Sequence, residues 1–169
     1  MINYPVMTGL MGALLLFAGP ALAEDKEPSA TIQIGAAGEW SLQDGGSGFG
    51  PSVAVETTVI KNWLEIEAGV TALSGGGQTQ WSTNLLFKKP WTLSKTVEFE
   101  VGVAPEWLHT TGGGKSTDSL GGEAVAEFLF WPWPDRKLGW YLEPSYGYDF
   151  GGRHDQSLGV SVGLLIPIP

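Results

Sequence analysis

Ten glutamates are the main candidates for chemistry in this sequence, because each falls inside a segment that otherwise has the pattern of an apolar strand. In 96–108, TVEFEVGVAPEWL, the glutamates occupy even positions, whereas Val97, Phe99 and Val101 occupy odd ones. Successive side chains of a strand point to opposite faces, so this pattern predicts one acidic face and one apolar face. Ten glutamates lie on the face opposite the apolar residues of their own segment: Glu39, Glu56, Glu65, Glu67, Glu98, Glu100, Glu106, Glu123, Glu127 and Glu143.

The negative charge of an acidic face of this kind must be compensated. Lys88 is the one strand-borne cation on the same surface. Isolated ionised carboxylates are costly in a low-dielectric space, so protons, water or a cation must compensate them. We predict a hydrated polar network in which the glutamates pair with Ser, Thr, Gln and Tyr141. A narrow path for water or small cations is the alternative.

The two histidines are the other candidates for chemistry, and both lie in predicted outer loops. His109 precedes Ser116, Asp118 and Ser119, so a histidine base with a loop serine is conceivable. No motif spacing supports a catalytic triad, and 45 positions separate His109 from His154 with no cluster of metal ligands between them. The stretch GGGKST lacks the spacing and the strand-to-helix context of a phosphate-binding loop. We predict no enzyme activity, no metal site and no cofactor.

Eight alternating segments position these residues, and no segment has a helical pattern. Glycine, with 25 residues, also disfavours helices. The connections after segments one, three, five and seven are glycine-rich and mostly polar, whereas those after two, four and six are basic, two of them with Trp and Pro. This alternation predicts an up-and-down antiparallel barrel. The predicted strands are 29–40, 49–60, 63–73, 78–88, 96–108, 119–131, 138–148 and 156–167.

Tryptophans sort to the two ends of these segments, which is typical of the interfacial belts of a membrane barrel. Strands of about 11 residues also match the roughly 9 to 11 that a tilted membrane strand needs. We therefore expect the apolar face to meet lipid, with a soluble calycin-like barrel as the alternative fold. The predicted interfacial girdle is Trp40, Trp63, Trp81, Trp91, Trp107, Trp131, Trp133 and Trp140.

The chain of 169 residues has the length of one domain. An apolar stretch from Leu10 to Ala18, followed by Ala21-Leu22-Ala23, predicts a signal peptide over 1–23 that is cleaved to leave a barrel domain over 24–169. The net charge of −9, without a basic patch, argues against nucleic acid as a partner, and the absence of cysteine excludes disulfides.

In these features the chain resembles the small eight-stranded outer-membrane β-barrels of Gram-negative bacteria. The resemblance covers about residues 29–167 and is one of architecture: the ALA signal, alternating loops and turns, aromatic girdles and polar inward positions. It implies an outer-membrane location, a bilayer partner, insertion by the barrel assembly machinery and a structural or surface-interaction role. Some barrels of the class modify lipids with His, Ser and a carboxylate at the outer rim, which is a less favoured alternative here. The chain departs from the family by ending on Pro169 instead of Phe or Trp.

Overall fold

The computed structural model describes residues 28–133, 136–151 and 154–168. The predicted signal peptide lies outside these ranges. The described chain forms eight strands: β1 (Ala30–Ser41), β2 (Ser47–Ile60), β3 (Leu64–Gly75), β4 (Gln78–Thr92), β5 (Val97–Gly112), β6 (Lys115–Phe130), β7 (Gly139–Asp149) and β8 (Gln156–Ile168).

Every strand pairs antiparallel with its neighbours in the chain, and β1 also pairs with β8, which closes the sheet into a barrel. Closure removes the free strand edges that an open sheet would expose. The predicted all-β, eight-stranded, up-and-down antiparallel barrel is thereby confirmed. Within the described ranges, no helix is long and apolar enough to cross a membrane.

Side-chain exposure follows the predicted parity, in which the odd-numbered and even-numbered residues of a strand point to opposite faces. In β5, Val101 and Val103 are exposed, whereas Glu100, Gly102 and Ala104 are buried. Because the barrel is closed, the buried parity points into the lumen and the exposed, mostly apolar parity points outward. The inward face also includes apolar side chains that meet in two small clusters. One contains Leu129, Trp131, Tyr141 and Leu165, and the other contains Leu86, Ala104 and Val125.

The two ends of the barrel differ in their connections. We call the end with the β1–β2, β3–β4, β5–β6 and β7–β8 connections the loop end, and the opposite end the turn end. The β1–β2 and β7–β8 connections at the loop end span 42–46 and 150–155, as the glycine-rich sequence predicts.

The prediction of longer glycine-rich loops is wrong for two of the four, and the longest connection between strands, 131–138, lies at the turn end instead. Gly76–Gly77 and Gly113–Gly114 are two-residue turns, and β5 and β6 extend through most of 109–118. All four glycines have positive φ, as the tight hairpin turn that matches strand twist requires. The threonines on either side, Thr110 and Thr117, then pair directly across the hairpin.

The β5–β6 hairpin projects beyond its neighbour β7. β5 and β6 pair up to Gly112↔Lys115, whereas the pairing of β6 with β7 begins at Gly121↔Asp149. Residues 115–118 of β6 therefore stand above β7 at the loop end.

Candidate functional site in the barrel lumen

The structure places all ten glutamates on the inward face, at different depths. Five are buried, namely Glu56, Glu67, Glu100, Glu127 and Glu143. The other five are half-buried and line one of two lumen cavities: Glu39, Glu106 and Glu123 toward the loop end, and Glu65 and Glu98 toward the turn end.

Lys88 is the centre of the buried group. Its side chain projects from β4 and is fully buried. The Nζ atom lies 2.8 Å from Glu67 Oε2, 3.0 Å from Glu100 Oε2 and 2.5 Å from Glu127 Oε2, and it also contacts Glu56. We call these five residues the Lys88 cluster. Four strands besides β4 are tied together through one ammonium group.

Neighbouring residues hold this cluster in place. Gln33 Nε2 donates a hydrogen bond of 2.9 Å to Glu67 Oε2. A Cβ at position 102 would lie 2.6 Å from Lys88 Cγ, so the glycine there gives the lysine room to cross the lumen. The cross-strand pairs Glu56↔Glu67 and Glu100↔Glu127 would repel each other without the intervening ammonium.

The sequence indicated Lys88 only as a cation on the acidic face. Parity placed it correctly on that face, but nothing in the spacing showed that four carboxylates converge on it. The convergence depends on which residues of five different strands lie at one height.

An upper cavity of about 50 Å³ lies between the Lys88 cluster and the loop end. Asn84 Nδ2 donates a hydrogen bond of 2.9 Å to Glu123 Oε2 within it. Among the described residues, no Lys, Arg or His lines this cavity. Its acidic lining residues are Glu39, Glu67, Glu106, Glu123 and Glu143.

A lower cavity of about 70 Å³ lies toward the turn end and has a cation at its mouth. Arg136 Nη2 donates a hydrogen bond of 2.8 Å to Glu98 Oε1. Trp131 Nε1 donates one of 3.0 Å to Glu98 Oε2. The Lys88 cluster separates the two cavities, because Lys88 and Glu127 have no exposed surface.

The prediction that Trp131 belongs to the interfacial girdle is wrong. It is only 3% exposed and packs inside the barrel with Leu129 and Tyr141. It has the same parity as Glu127, and the inward alternation of β6 continues past the end of the strand. Reading parity one residue further would have identified this.

The other seven girdle tryptophans are exposed on the outside, at fractions from 38% for Trp107 to 59% for Trp63. Near the turn end, Trp140 stacks on Phe130 with ring centroids 3.8 Å apart, and Lys89 Nζ lies 5.4 Å from the ring centroid of Trp91. The remaining members of this outward set are Trp40, Trp81 and Trp133.

His109 lies in β5 and not in a loop, which corrects the predicted position. Its Nδ1 lies 2.7 Å from Asp118 Oδ1 on the opposite strand of the hairpin. Ser119 has the inward parity and donates a hydrogen bond of 2.9 Å to Asp149. The serine and the histidine therefore occupy opposite faces of the sheet, and this arrangement does not assemble His109, Asp118 and Ser119 into a triad.

Comparison with known proteins reveals likeness in structure only. No protein-family model matches the sequence, and no curated protein matches it. Neisserial surface protein A superposes with a TM-score of 0.70 at 15% identity, over 83% of this chain and 97% of that chain. Ail, the attachment invasion locus protein of Yersinia pestis, gives 0.57 at 14% identity over 83% and 98% of the two chains.

The N-terminal β-barrel domain of Pseudomonas aeruginosa OprF gives a TM-score of 0.51 at 11% identity, over 83% of this chain and 100% of that domain. All three likenesses extend over most of both chains. The chain thus has the fold of the small eight-stranded outer-membrane β-barrels.

Proposed function

We propose that this protein is an integral outer-membrane barrel with a sealed lumen, which supports the cell envelope and makes its interactions at the loop end. The observation that carries the proposal is the Lys88 cluster, which fills the lumen between the two cavities. An eight-stranded barrel has an interior just wide enough for side chains to fill. The exposed aliphatic band with tryptophans at both ends supports a bilayer as the surrounding medium.

Membrane insertion is tested by refolding residues 24–169 into detergent or vesicles. The folded barrel should migrate differently on a gel when it is unheated and when it is boiled, and the unheated sample should have a β-type circular dichroism spectrum. A chain that stays monomeric without detergent would contradict the proposal and support a soluble barrel. Fractionation of cells should recover the protein with outer membranes.

The sealed lumen is tested by conductance in planar bilayers. We expect no discrete conductance steps, because ion passage would require the Lys88 cluster to break. The rival hypothesis of a narrow water or cation path predicts cation-selective steps. Those steps should disappear when Glu65, Glu67, Glu98 and Glu100 are changed to Gln.

The loop end is the proposed interaction surface because the β5–β6 hairpin projects there. An epitope tag inserted between Gly113 and Gly114 should be labelled by antibody on intact cells. A matched tag inserted between Ser94 and Lys95, in the β4–β5 turn, should be labelled only after the outer membrane is permeabilised. The reverse pattern would invert the proposed orientation.

A lipid-modifying activity is the least supported alternative, because Ser119 and His109 face opposite sides of the sheet, and Ser116, on the same face as His109, pairs with Thr111 and not with His109. Lipid composition of the outer membrane should be unchanged in cells that overproduce the protein. A changed composition that is lost in the His109→Ala variant would overturn this assignment.

A further inference from the structure

The upper cavity has a charge imbalance that its own residues do not resolve. Five carboxylates line it, and the described part of the chain contributes no cationic side chain to its wall. Lys88 cannot serve, since its Nζ is engaged below with Glu56, Glu100 and Glu127 as well as with Glu67. Buried carboxylates that lack a partner are costly, so a further positive charge must balance them.

Two buried oxygen atoms of this wall lack hydrogen-bond partners. Glu143 is only 8% exposed, and its Oε2 atom has none. Asn84 Oδ1 is also unpaired, although the amide nitrogen of the same side chain donates to Glu123. Unsatisfied buried oxygens are rare in native structures, and binding of water or an ion is one of the few physical reasons for them. Both atoms belong to side chains that line the upper cavity.

The register adds a like-charge pair at the same place. The pairs Val125↔Ser145 and Phe128↔Leu142 set Glu127 opposite Glu143 across β6 and β7. Glu127 Oε2 contacts Lys88, whereas Glu127 Oε1 has no hydrogen-bond partner. Directly opposed like charges destabilise a sheet, and a cation beside Glu143 would remove that repulsion.

The polar atoms of the wall that can bind a cation are all oxygens: those of five carboxylates, of the amide carbonyls of Gln33 and Asn84, and of Ser, Thr and Tyr hydroxyls. Oxygen ligands select hard divalent cations such as Ca²⁺ and Mg²⁺. The tightest triplets of carboxylate oxygens in the described chain, within 4.8 Å of one another, are Glu56–Glu65–Glu100 and Glu56–Glu67–Glu127. Both belong to the region around Lys88. Within the described chain, no three carboxylates of the upper cavity lie this close together, which suits a cation that keeps part of its water shell.

The volume and access agree with a hydrated ion. The cavity has about 50 Å³, several times the ~10–15 Å³ that one water molecule requires. Glu39 and Glu106 are half-buried, whereas Glu67 and Glu143 are buried, so the cavity opens toward the loop end. An ion could therefore enter from that side without passing the Lys88 cluster.

We propose that the upper cavity binds one partly hydrated divalent cation, with Glu143, Glu123 and the carbonyl oxygen of Asn84 as its protein ligands. This proposal does not depend on the proposed sealed lumen or surface role. The bound cation offsets part of the negative charge of the upper cavity, as the ammonium group of Lys88 offsets part of the charge of the four carboxylates below it.

The test uses the refolded barrel in a zwitterionic detergent, stripped of metal and titrated with Tb³⁺. Tyr141 lines the cavity and should sensitise Tb³⁺ luminescence on excitation of the aromatic side chains. Tb³⁺ should bind at one site per chain. Ca²⁺ or Mg²⁺ should displace it and so lower the luminescence. The Glu143→Gln and Glu123→Gln variants should weaken binding by at least roughly tenfold, a loss seen even for residues that only support a metal's ligands.

The matched control is Glu98→Gln, which neutralises a carboxylate that Arg136 already compensates at the other end of the lumen. Its affinity for Tb³⁺ should equal that of the wild type. The gel shift on heating establishes that each variant is folded, and having two variants protects the test if one fails to fold. Absence of Tb³⁺ luminescence, or equal affinity in wild type and both folded variants, would overturn the proposal and leave protons as the compensating charge.

Discussion

The Lys88 cluster and the upper cavity occupy neighbouring levels of one lumen, yet among the residues that the structure describes only the cluster contains a cationic side chain. Both levels are rich in glutamate, and Glu67 belongs to both. In the cluster, four carboxylates share one ammonium group and little space remains, whereas in the upper cavity the carboxylates are spread around a space large enough for water or an ion. Carboxylates on one face of a barrel can therefore have opposite effects on the free energy of unfolding, depending on what lies between them.

Removing the internal cation should have the largest effect. Lys88→Met leaves four buried carboxylates without their shared partner, and breaking a buried ion pair in this way costs about 3 to 5 kcal/mol. Urea unfolding in lipid vesicles measures the change in the free energy of unfolding. Lys95→Met, in an exposed turn, is the control and should leave stability unchanged. Equal stability of both variants would mean that the ammonium of Lys88 does not hold the cluster together.

Neutralising a single carboxylate should change the free energy of unfolding in opposite directions at the two levels. Glu127→Gln removes a charge that contacts Lys88 and should lower the free energy of unfolding by about 1 to 2 kcal/mol. Glu143→Gln removes one member of an opposed like-charge pair and, in the presence of a chelator, should raise it by up to about 1 kcal/mol. The measurement is unfolding of both variants in the same vesicles. Destabilisation by both would show that the two levels are not electrostatically distinct.

A substitution at the mouth of the lower cavity should change the free energy of unfolding by a smaller amount. Trp131→Phe keeps most of the buried apolar surface but removes the hydrogen bond to Glu98, which should cost about 1 kcal/mol. Trp133→Phe is a matched control on an exposed side chain and should change the free energy of unfolding little. If Trp131→Phe matches this control, the indole hydrogen bond does not stabilise the fold.

The exposed hairpin should contribute least. Asp118→Asn removes the charge that faces His109, but the aspartate is 59% exposed, and such pairs contribute about 0.2 to 1 kcal/mol or less. We expect a change at the low end of this range, and added salt should make it smaller still. A larger change would indicate that the hairpin is coupled to the stability of the lumen.

Much of the barrel could be read from the sequence, because a strand repeats every two residues. Parity alone placed Glu100 inward and Val101 outward, and it did so for all ten glutamates. It could not show that 109–118 continues as strand, since TTGGGK fits a flexible loop as well as a tight turn. Pairing of Thr110 with Thr117 decided between the two. Trp131 was misplaced because its residue type was given more weight than its parity.

The site depended far more on tertiary structure. Glu56, Glu100 and Glu127 come from three strands, and no local pattern places their carboxylates around one lysine. The register between strands, accumulated around the closed barrel, sets the height of each side chain. That height determines which glutamates reach Lys88 and which line the upper cavity instead.

The amino-acid sequence is enough to predict the number of strands, the face on which each glutamate and nearly every tryptophan lies, and the apolar character of the outer surface, because these depend on the alternation of side chains along one strand. Three features required the folded barrel: Lys88 is shared by four carboxylates, Glu143 keeps an unpaired oxygen, and the β5–β6 hairpin projects beyond β7. These features depend on register and closure, which bring together residues that are distant in the chain.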